Sequence, residues 1–183
     1  MAYLRLARSS PPQPVEEDPC VQVFDAELDY IFETLKRLGV ASGEIEDLAH
    51  EVFVVLHRNW ATLDLSRPLR PYLFGVAFRI ASAHRRRRLR EAPQPVPDFQ
   101  DSAPSAERAL QSRQSILLLL AALEQVPLPR RAVVIMHELD GVPIVDIART
   151  LSISRFGAYA RLHKGRKELA AAVRRLQRQR GQR

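Results

Sequence analysis

The chain has little of what would build a disulfide, a metal centre or a membrane span. Among its 183 residues there is a single cysteine, Cys20, which excludes an internal disulfide and a zinc site made of several cysteines. The longest apolar run, residues 116–123, is too short to cross a bilayer, and residues 1–14 lack the hydrophobic block of a signal peptide. We therefore expect a cytoplasmic protein in a reducing compartment.

Groupings of residues that carry catalysis are also missing. The sequence has no glycine loop of the kind that binds phosphates and no Gly-x-Ser-x-Gly turn around a nucleophilic serine. Its five histidines are scattered, and His50 and His57 have no third ligand nearby for a metal. The acidic cluster of Glu46, Asp47 and Glu51 is explained more simply as the exposed face of a surface helix than as a catalytic group. We expect no enzyme activity, no metal and no cofactor.

The sequence has a net positive charge, and its apolar residues recur with the spacing of a helix. The formal net charge is +7 and the sequence pI about 10.3, which favours a polyanionic partner such as nucleic acid. Apolar residues recur three and four positions apart, and no stretch alternates with the period of two that strands require. The pattern predicts an all-α fold. A basic protein of the membrane surface fits poorly, because no helix pairs a basic face with a set of large aromatic anchors.

Proline divides the chain into two predicted helical domains. Residues 92–107 contain four prolines and two aspartates, a density that no helix tolerates, and they are predicted to form an extended linker. We place a helical domain on either side, residues 20–91 before the linker and residues 108–176 after it. The chain begins with a predicted disordered leader, residues 1–19, and ends in a basic tail, residues 177–183, that we expect to be frayed.

The first domain is predicted to contain three long helices. Gly39 can end the first helix, Ser42 can cap the second, and Pro71 suits the first turn of the third. The third helix carries an aromatic residue and several arginines on the face opposite its apolar stripe. Such a face can stack on a base and hold phosphates, although an ordinary solvated basic face has the same pattern. The residues of this face are Tyr72, Arg79, Arg86 and Arg90.

The second domain ends in a helix-turn-helix pattern, residues 141–169. Pro143 can occupy the first position of a short amphipathic helix, and Ser154 can cap the longer helix after the turn. From Arg155 to the end there are ten lysines or arginines and one acid, Glu168. The first half of such a helix reads base edges while flanking cations bind phosphates; the alternative is a helical hairpin with a solvated basic face. The outward face is predicted to show Phe156, Tyr159, Ala160, His163, Lys164 and Lys167, with Arg155, Arg161 and Arg166 at its edges.

Taken together, these segments resemble the extracytoplasmic-function sigma factors, the small two-domain class of bacterial RNA polymerase sigma subunits. Residues 46–53 read Glu-Asp-Leu-Ala-His-Glu-Val-Phe and are similar to the family's Glu-Asp-Leu-Val-Gln-Glu-Val-Phe. Residues 70–74, with the arginines at 85–88, resemble the segment that melts and reads the −10 element. Residues 139–148 and 161–166 resemble the domain that reads the −35 element. The three motifs occur in the family's order, on either side of the linker.

The resemblance implies a sigma factor that binds core RNA polymerase and directs promoter recognition and initiation. The implied fold is a sigma domain 2-like bundle joined to a sigma domain 4-like helix-turn-helix. Contacts with the polymerase clamp helices are implied at Glu46, Asp47, Leu48, Glu51, Val52 and Phe53. Contacts with −10 DNA are implied at Arg67, Arg70, Tyr72, Arg79, Arg86 and Arg87. Contacts with −35 DNA are implied at Arg155, Tyr159, Ala160, Arg161, His163, Lys164, Arg166 and Lys167.

The chain departs from the family pattern at several positions. His50 replaces glutamine, Arg79 and Ala83 replace asparagine and aspartate, and residues 156–157 read Phe-Gly in place of Gly-Thr. Ser152 replaces the glycine of the turn and must adopt a less favourable backbone. Two alternatives therefore stay open, a stand-alone DNA-binding regulator that does not melt promoters and a competitor for the polymerase clamp. We also expect an anti-sigma factor or the polymerase to hold the two domains together, because a proline-rich linker has no rigid contact of its own.

Overall fold

The computed structural model describes residues 18–91 and 107–181, and in these residues it contains helices and turns but no strand. The predicted all-α class is thereby confirmed. The first three helices are α1 (Pro19–Leu38), α2 (Ile45–Asn59) and α3 (Leu69–Glu91). The others are α4 (Glu107–Glu124), α5 (Leu128–Val134), α6 (Ile144–Thr150) and α7 (Arg155–Gly181). The predicted linker, apart from Glu107, and the predicted leader, apart from its last two residues, lie outside the described residues.

Helix α1 has a well-defined beginning and end. The Asp18 side chain caps it by accepting a hydrogen bond from the Cys20 backbone N–H at 2.8 Å. Pro19 occupies the first helical position, where a missing N–H costs nothing. Gly39 ends the helix in the left-handed conformation, with φ at 87°, and its own N–H bonds back to carbonyls of the last turn. The predicted stop at Gly39 is confirmed.

The second helix begins differently from the prediction. Ser42 does not cap α2, because a 3-10 turn over Ser42–Glu44 carries the chain one turn further before the helix starts at Ile45. Glu44 stands at the cap position but makes no capping hydrogen bond. Its carboxylate is instead 3.1 Å from Arg88 Nη1 and 3.2 Å from His84 Nε2. The residue that precedes α2 therefore joins this helix to α3.

Helices α1, α2 and α3 pack on one another as a three-helix bundle. Pro71 lies in the first turn of α3, as predicted. Leu73, Val76 and Ala77 follow it into the core, each with 1% exposure. Burial of a leucine or valine side chain stabilises a fold by roughly 1.5–3 kcal/mol, so this stripe fixes how α3 is rotated. The other core residues of the bundle include Ile31, Leu35, Leu38, Leu48, Val52, Leu56 and Phe74.

The second bundle is built around α7. Helix α5 continues through a π-helical turn, Ile135–Leu139, and packs on α7, where Gly165 permits a close approach. Helix α6 starts one residue later than predicted, because Pro143 is its cap and not its first helical residue. Helix α7 extends to Gly181, which corrects the predicted fraying for residues 177–181.

The two bundles pack directly against each other, which corrects the expectation that an anti-sigma factor or the polymerase holds them together. Their buried residues form one hydrophobic cluster. At this bundle interface α1 contacts α4 and α5, and α3 contacts α6. Gly75 of α3 is so close to α6 that an added Cβ would lie 2.9 Å from Thr150 Cγ2. Packed side chains thus supply the rigid contact that the linker sequence does not.

Arg131 of α5 is a buried cation at the bundle interface, with 0% exposure. Its Nη1 donates a hydrogen bond to the Leu38 carbonyl, at the end of α1, at 2.7 Å. Its Nε donates to the Val126 carbonyl at 3.1 Å and its Nη2 to the Glu124 carbonyl at 2.6 Å. Burial lowers the pKa of Arg131 to about 10, so the guanidinium keeps its charge at neutral pH. One side chain therefore satisfies carbonyls at the ends of two helices.

Candidate nucleic-acid interface

The turn between α6 and α7 shapes the candidate interface. Ser152 adopts φ of 53°, and in the part of the chain that the structure describes it is the only residue other than glycine with a positive φ. A left-handed backbone costs a residue with a Cβ roughly 1–2 kcal/mol. The predicted unfavourable backbone of Ser152 is confirmed. Ile153 then returns to the core, and its N–H donates to the Ala148 carbonyl at 2.9 Å.

Ser154 caps α7, as predicted. Its Oγ accepts a hydrogen bond from the Gly157 N–H at 2.9 Å, and its carbonyl accepts one from the Ala158 N–H at 2.9 Å. A Cβ at Gly157 would lie 3.1 Å from the same Oγ, so the glycine leaves room for the cap. The cap determines where α7 starts, and with it which side chains stand at the exposed beginning of the helix.

The outer face of α7 combines exposed aromatic side chains with cations. Phe156 is 83% exposed and Tyr159 is 62% exposed, whereas Ala158 and Leu162 on the inner face are buried. The structure brings the predicted −35 residues together on this half of one helix. Arg155, His163, Lys164, Arg166 and Lys167 are exposed, and Ala160 and Arg161 are half-buried at the edge.

Arg166 differs from the other predicted −35 cations because it forms an ion pair. Its Nε donates to Glu138 Oε1 at 2.7 Å, which joins α7 to the π-helical turn. A second ion pair, between Arg130 and Glu168 at 3.1 Å, joins α5 to α7. Among the side chains that the structure describes, no acid pairs with the remaining four cations of the set, which are Arg155, Arg161, Lys164 and Lys167.

A cleft between the bundles holds half of the predicted −10 residues. Arg67, Tyr72 and Arg79 line this cleft of about 640 Å³ from the side of α3, and α6 forms the opposite wall. Tyr72 is half-buried there, and burial raises the pKa of its hydroxyl. Arg67 is held by Asp64, with Nε 3.1 Å from Oδ2. The cleft therefore belongs to both bundles.

The other predicted −10 residues lie elsewhere. Arg70 is bound at the bundle interface, where its Nε is 2.8 Å from Glu27 Oε2 and its guanidinium lies 5.0 Å from the centre of the Tyr30 ring. Arg86 and Arg87 are exposed near the end of α3, beyond the cleft. The structure does not bring these three arginines together with the residues of the cleft.

The predicted polymerase-docking residues of α2 are split between surface and core. Glu46, Asp47 and Glu51 are exposed. The first two lie in the first turn, where a carboxylate interacts favourably with the helix dipole. Leu48 and Val52 are 3% and 0% exposed, so they hold the helix in the core and offer no surface to a partner.

Phe53, the remaining docking residue, is half-buried in an aromatic pair with Phe24 of α1. The ring centroids are 4.9 Å apart and the rings meet edge to face. The imidazole of His57 lies 5.7 Å from Phe53 on the same helix. Sequence reasoning missed the pairing with Phe24, because a contact between two helices leaves no local pattern.

The structural roles of two buried glycines and one buried arginine were also not predicted from the sequence. A Cβ at Gly165 would lie 2.6 Å from Val134 Cγ2, which shows how closely α5 and α7 approach. A glycine inside a long helical pattern lowers the stability of the helix by up to about 1 kcal/mol. Its presence at Gly165 and at Gly75 is therefore the sequence signal that could have indicated a close approach of another helix. Nothing in the local sequence predicts the burial of Arg131, since a buried and an exposed arginine cannot be distinguished from the sequence alone.

Two further findings concern residues 18–91 and 107–181 alone. None of their helices combines the length and the apolar character needed to cross a membrane. Nor do three histidine, cysteine, aspartate or glutamate side chains come together there in a way that could hold a metal ion.

Comparison with known proteins matches each bundle to a described protein family. Residues 23–91 match the family described as Sigma-70 region 2, and residues 116–169 match Sigma-70, region 4. The chain is also 28% identical, over 146 residues, to the ECF RNA polymerase sigma factor SigF of Caulobacter vibrioides, and the match covers 77% of each protein.

Solved structures share the fold. CnrH in complex with the cytosolic domain of CnrY is 16% identical with a TM-score of 0.59, over 83% of this chain and 85% of that one. The sigma factor RpoE in complex with the anti-sigma factor NepR from Bartonella quintana is 16% identical with a TM-score of 0.63, over 84% of this chain and 98% of that one. At this identity the likeness concerns the fold alone.

Matches to both sigma-70 regions, in order and on separate bundles, define a two-region protein of the sigma-70 type. The chain belongs to the extracytoplasmic-function RNA polymerase sigma factors. Its function is that of an RNA polymerase sigma factor in promoter recognition and transcription initiation, which confirms the prediction from sequence. The alternatives without promoter melting are not favoured.

Proposed function

We propose that this sigma factor works through three separate surfaces. The acidic face of α2 binds the clamp helices of core RNA polymerase, the cleft beside α3 binds −10 DNA, and the outer face of α7 binds the −35 duplex. The observation that carries the proposal is the outer face of α7, where exposed cations and aromatic rings stand at the start of a capped helix after a tight turn. Proteins insert a helix of this kind into the major groove.

The acidic face of α2 supports polymerase docking by its charge. In a chain with a net charge of +7, Glu46, Asp47 and Glu51 form a local negative surface. None of the three forms an ion pair with a described side chain, so their charges remain available to a basic partner. Phe53 adds a half-buried apolar edge beside them.

The cleft supports strand binding by its chemistry. The Tyr72 ring can stack on an unpaired base while Arg67 and Arg79 hold phosphates. Because α6 forms the other wall, we propose that the two bundles move apart when a DNA strand enters. The outer face of α7 needs no such movement, since Phe156 and Tyr159 are already exposed. Duplex binding at −35 can therefore precede capture of the −10 strand.

The setting of this activity is also proposed. The protein acts in the cytoplasm, together with core polymerase and the chromosome, and catalyses no reaction of its own. An anti-sigma factor is proposed as a further partner. It is supported by the likeness to RpoE, which was solved with the anti-sigma factor NepR.

Run-off transcription with purified core enzyme tests the function directly. The full chain is expected to give specific transcripts from promoters selected out of genomic DNA. The double variant Asp47→Lys with Glu51→Lys is expected to bind core enzyme at least about tenfold more weakly, because two lysines replace the acids and repel a basic partner. Its affinity for −35 duplex DNA should be unchanged, since α7 is untouched.

The matched control is Asp25→Lys with Glu33→Lys, which changes the net charge equally at exposed positions of α1. It should retain core binding and transcription. Absence of any specific transcript with the wild-type chain contradicts the sigma function. Equal losses of core binding in the two double variants contradict the docking face and leave the sigma function intact.

A further inference from the structure

Phe156 is the most exposed large hydrophobic side chain in the described part of the chain, at 83%. It stands in the first turn of α7, and Tyr159 follows three residues later on the same side of the helix. Single exposed apolar residues are common on protein surfaces, but neighbouring exposed aromatic side chains rimmed by polar residues form a patch of the kind that marks a binding surface. The aromatic pair formed by Phe156 and Tyr159 is therefore expected to be covered by a partner.

The surroundings of the aromatic pair favour DNA as that partner. Arg155 precedes it, Lys164 and Lys167 follow it, and no acid occurs between Arg155 and Lys167. The resulting positive potential attracts a polyanion. The pair also stands in the first turns of the helix that follows the tight turn, which is the part that meets base edges when such a helix enters the major groove.

We propose that Phe156 and Tyr159 read thymine methyl groups in the promoter duplex and so set the base preference of the −35 contact. The inference rests on the proposed role of α7 and names the bases that this helix selects. The C5 methyl of thymine is the apolar group that base edges present in the major groove. Phenylalanine has no polar atom to satisfy, so it meets that methyl without loss of a hydrogen bond.

The family resemblance does not supply this preference. Phe156 and Gly157 stand where the family pattern has Gly-Thr, so a large ring replaces a position without a side chain. The hydrogen bond from the Gly157 N–H to the Ser154 side chain determines where the helix starts, and the ring stands in its first turn. The base preference of this chain must therefore differ from one read by a helix that starts with glycine.

Selection from a random duplex pool with the full-length chain is the first arm of the test. The wild-type chain is expected to enrich thymine at one or two positions, and Phe156→Ala is expected to lose that enrichment. Because Phe156 is exposed, the variant should fold and melt as the wild type does. Circular dichroism checks this.

Replacement of the enriched thymines by deoxyuridine is the second arm. Deoxyuridine keeps the base pair but lacks the C5 methyl. Each replacement is expected to weaken wild-type binding about fourfold, the effect of one buried methyl group. Phe156→Ala should bind both duplexes equally, whereas Phe156→Leu, which keeps an apolar side chain, should retain most of the discrimination.

Lys167→Ala is the control for general affinity. It should weaken binding to every duplex and lower the salt dependence by about one counterion, while the methyl effect persists. If wild type and Phe156→Ala respond equally to deoxyuridine, or if no thymine is enriched, the proposal is overturned and the aromatic pair is assigned to a protein contact. Methyl discrimination without run-off transcription contradicts the proposed function and leaves this proposal standing.

Discussion

Tyr30 and Asp140 lie 110 residues apart in sequence, yet the Tyr30 hydroxyl donates a hydrogen bond to Asp140 Oδ2 at 2.9 Å. The bond joins α1 of the first bundle to the loop before α6 in the second. Arg37 Nη1 lies 3.6 Å from the other oxygen of the same carboxylate. Burial, followed by the charge of Asp140, raises the pKa of Tyr30 above its usual value. This polar contact between the bundles therefore depends on a protonated Tyr30.

Alkaline pH is expected to weaken the bundle interface through Tyr30. A tyrosine whose pKa is raised by folding contributes stability that is fully present below its ordinary pKa of about 10 and is lost as the pH rises through its folded value. Tyr30→Phe should cost about 1 kcal/mol at pH 7 and reduce the alkaline loss. Urea unfolding from pH 7 to 11 measures both. Tyr159→Phe, which removes an exposed hydroxyl, is the control. If it reduces the alkaline loss of stability as much as Tyr30→Phe does, that loss does not come from Tyr30.

Arg131→Met is expected to be strongly destabilising. It leaves three carbonyl acceptors at helix ends without their donor, and removal of one partner from such a buried charged contact costs roughly 3–5 kcal/mol. Arg130→Met is the matched control, because it removes only a partly exposed ion pair with Glu168 and should cost less than about 1 kcal/mol. Chemical denaturation gives both free energies of unfolding. Similar losses in the two variants would contradict the role assigned to Arg131.

Gly165→Ala is expected to destabilise the protein although alanine favours helices. The gain in helix propensity is about 1 kcal/mol. The added Cβ, however, would lie 2.6 Å from Val134 Cγ2, and overpacking of this kind costs roughly 1–3 kcal/mol. Gly43→Ala, with nothing within 4 Å of its added Cβ, should be neutral or stabilising. Thermal unfolding compares them, and a stabilised Gly165→Ala would show that α5 and α7 have room to separate.

Gly75→Ala is expected to push the two bundles apart. Its Cβ would lie 2.9 Å from Thr150 Cγ2 and 3.4 Å from the Thr150 carbonyl oxygen. Thr150→Ala in the same chain removes the methyl group and should restore the contact. Small-angle X-ray scattering is expected to give a larger radius of gyration for the single variant than for the double variant. Identical scattering from wild type and Gly75→Ala would refute the close contact.

Ser152→Gly and Ser154→Ala are expected to change stability in opposite directions. Glycine at residue 152 relieves a left-handed backbone strain of roughly 1–2 kcal/mol. It also gives the unfolded chain more conformational freedom, which offsets roughly 0.4–1 kcal/mol of that gain, so Ser152→Gly is expected to be stabilising. Alanine at residue 154 removes the helix cap and costs about 1 kcal/mol. Thermal unfolding of the two variants checks the signs. Destabilisation by Ser152→Gly would mean that its side chain stabilises the turn.

Local signals in the sequence predicted local structure well. Gly39 and Ser154 act on backbone groups a few residues away, so their chemistry could be read without knowledge of the fold. Ser42 has the same chemistry as a cap, but the intervening 3-10 turn places it too early. The packing of the bundles could not be read at all, because Arg131 reaches carbonyls that are distant in sequence.

In the candidate site, too, local features could be predicted from the sequence, whereas contacts between distant residues could not. Helical periodicity determines which side chains share a face, so the outer face of α7 was predictable. The −10 residues were chosen by resemblance, and the structure divides them among the cleft, the bundle interface and the far end of α3. Leu48 and Val52 matched the docking motif, but a motif does not distinguish a residue that touches a partner from one that supports the helix beneath it.

On the proposed function, a DNA strand binds in the cleft between α3 and α6 after the two bundles, one of which supplies α6 as a wall, have moved apart. A strand binds only the fraction of molecules whose cleft is open, so its apparent dissociation constant is the intrinsic one divided by that fraction. If one molecule in a hundred is open, the strand binds about a hundredfold more weakly than it does to a fully open chain. On the proposed function, the contact between Gly75 and Thr150 favours the closed arrangement of the bundles and therefore lowers the apparent affinity for a single strand.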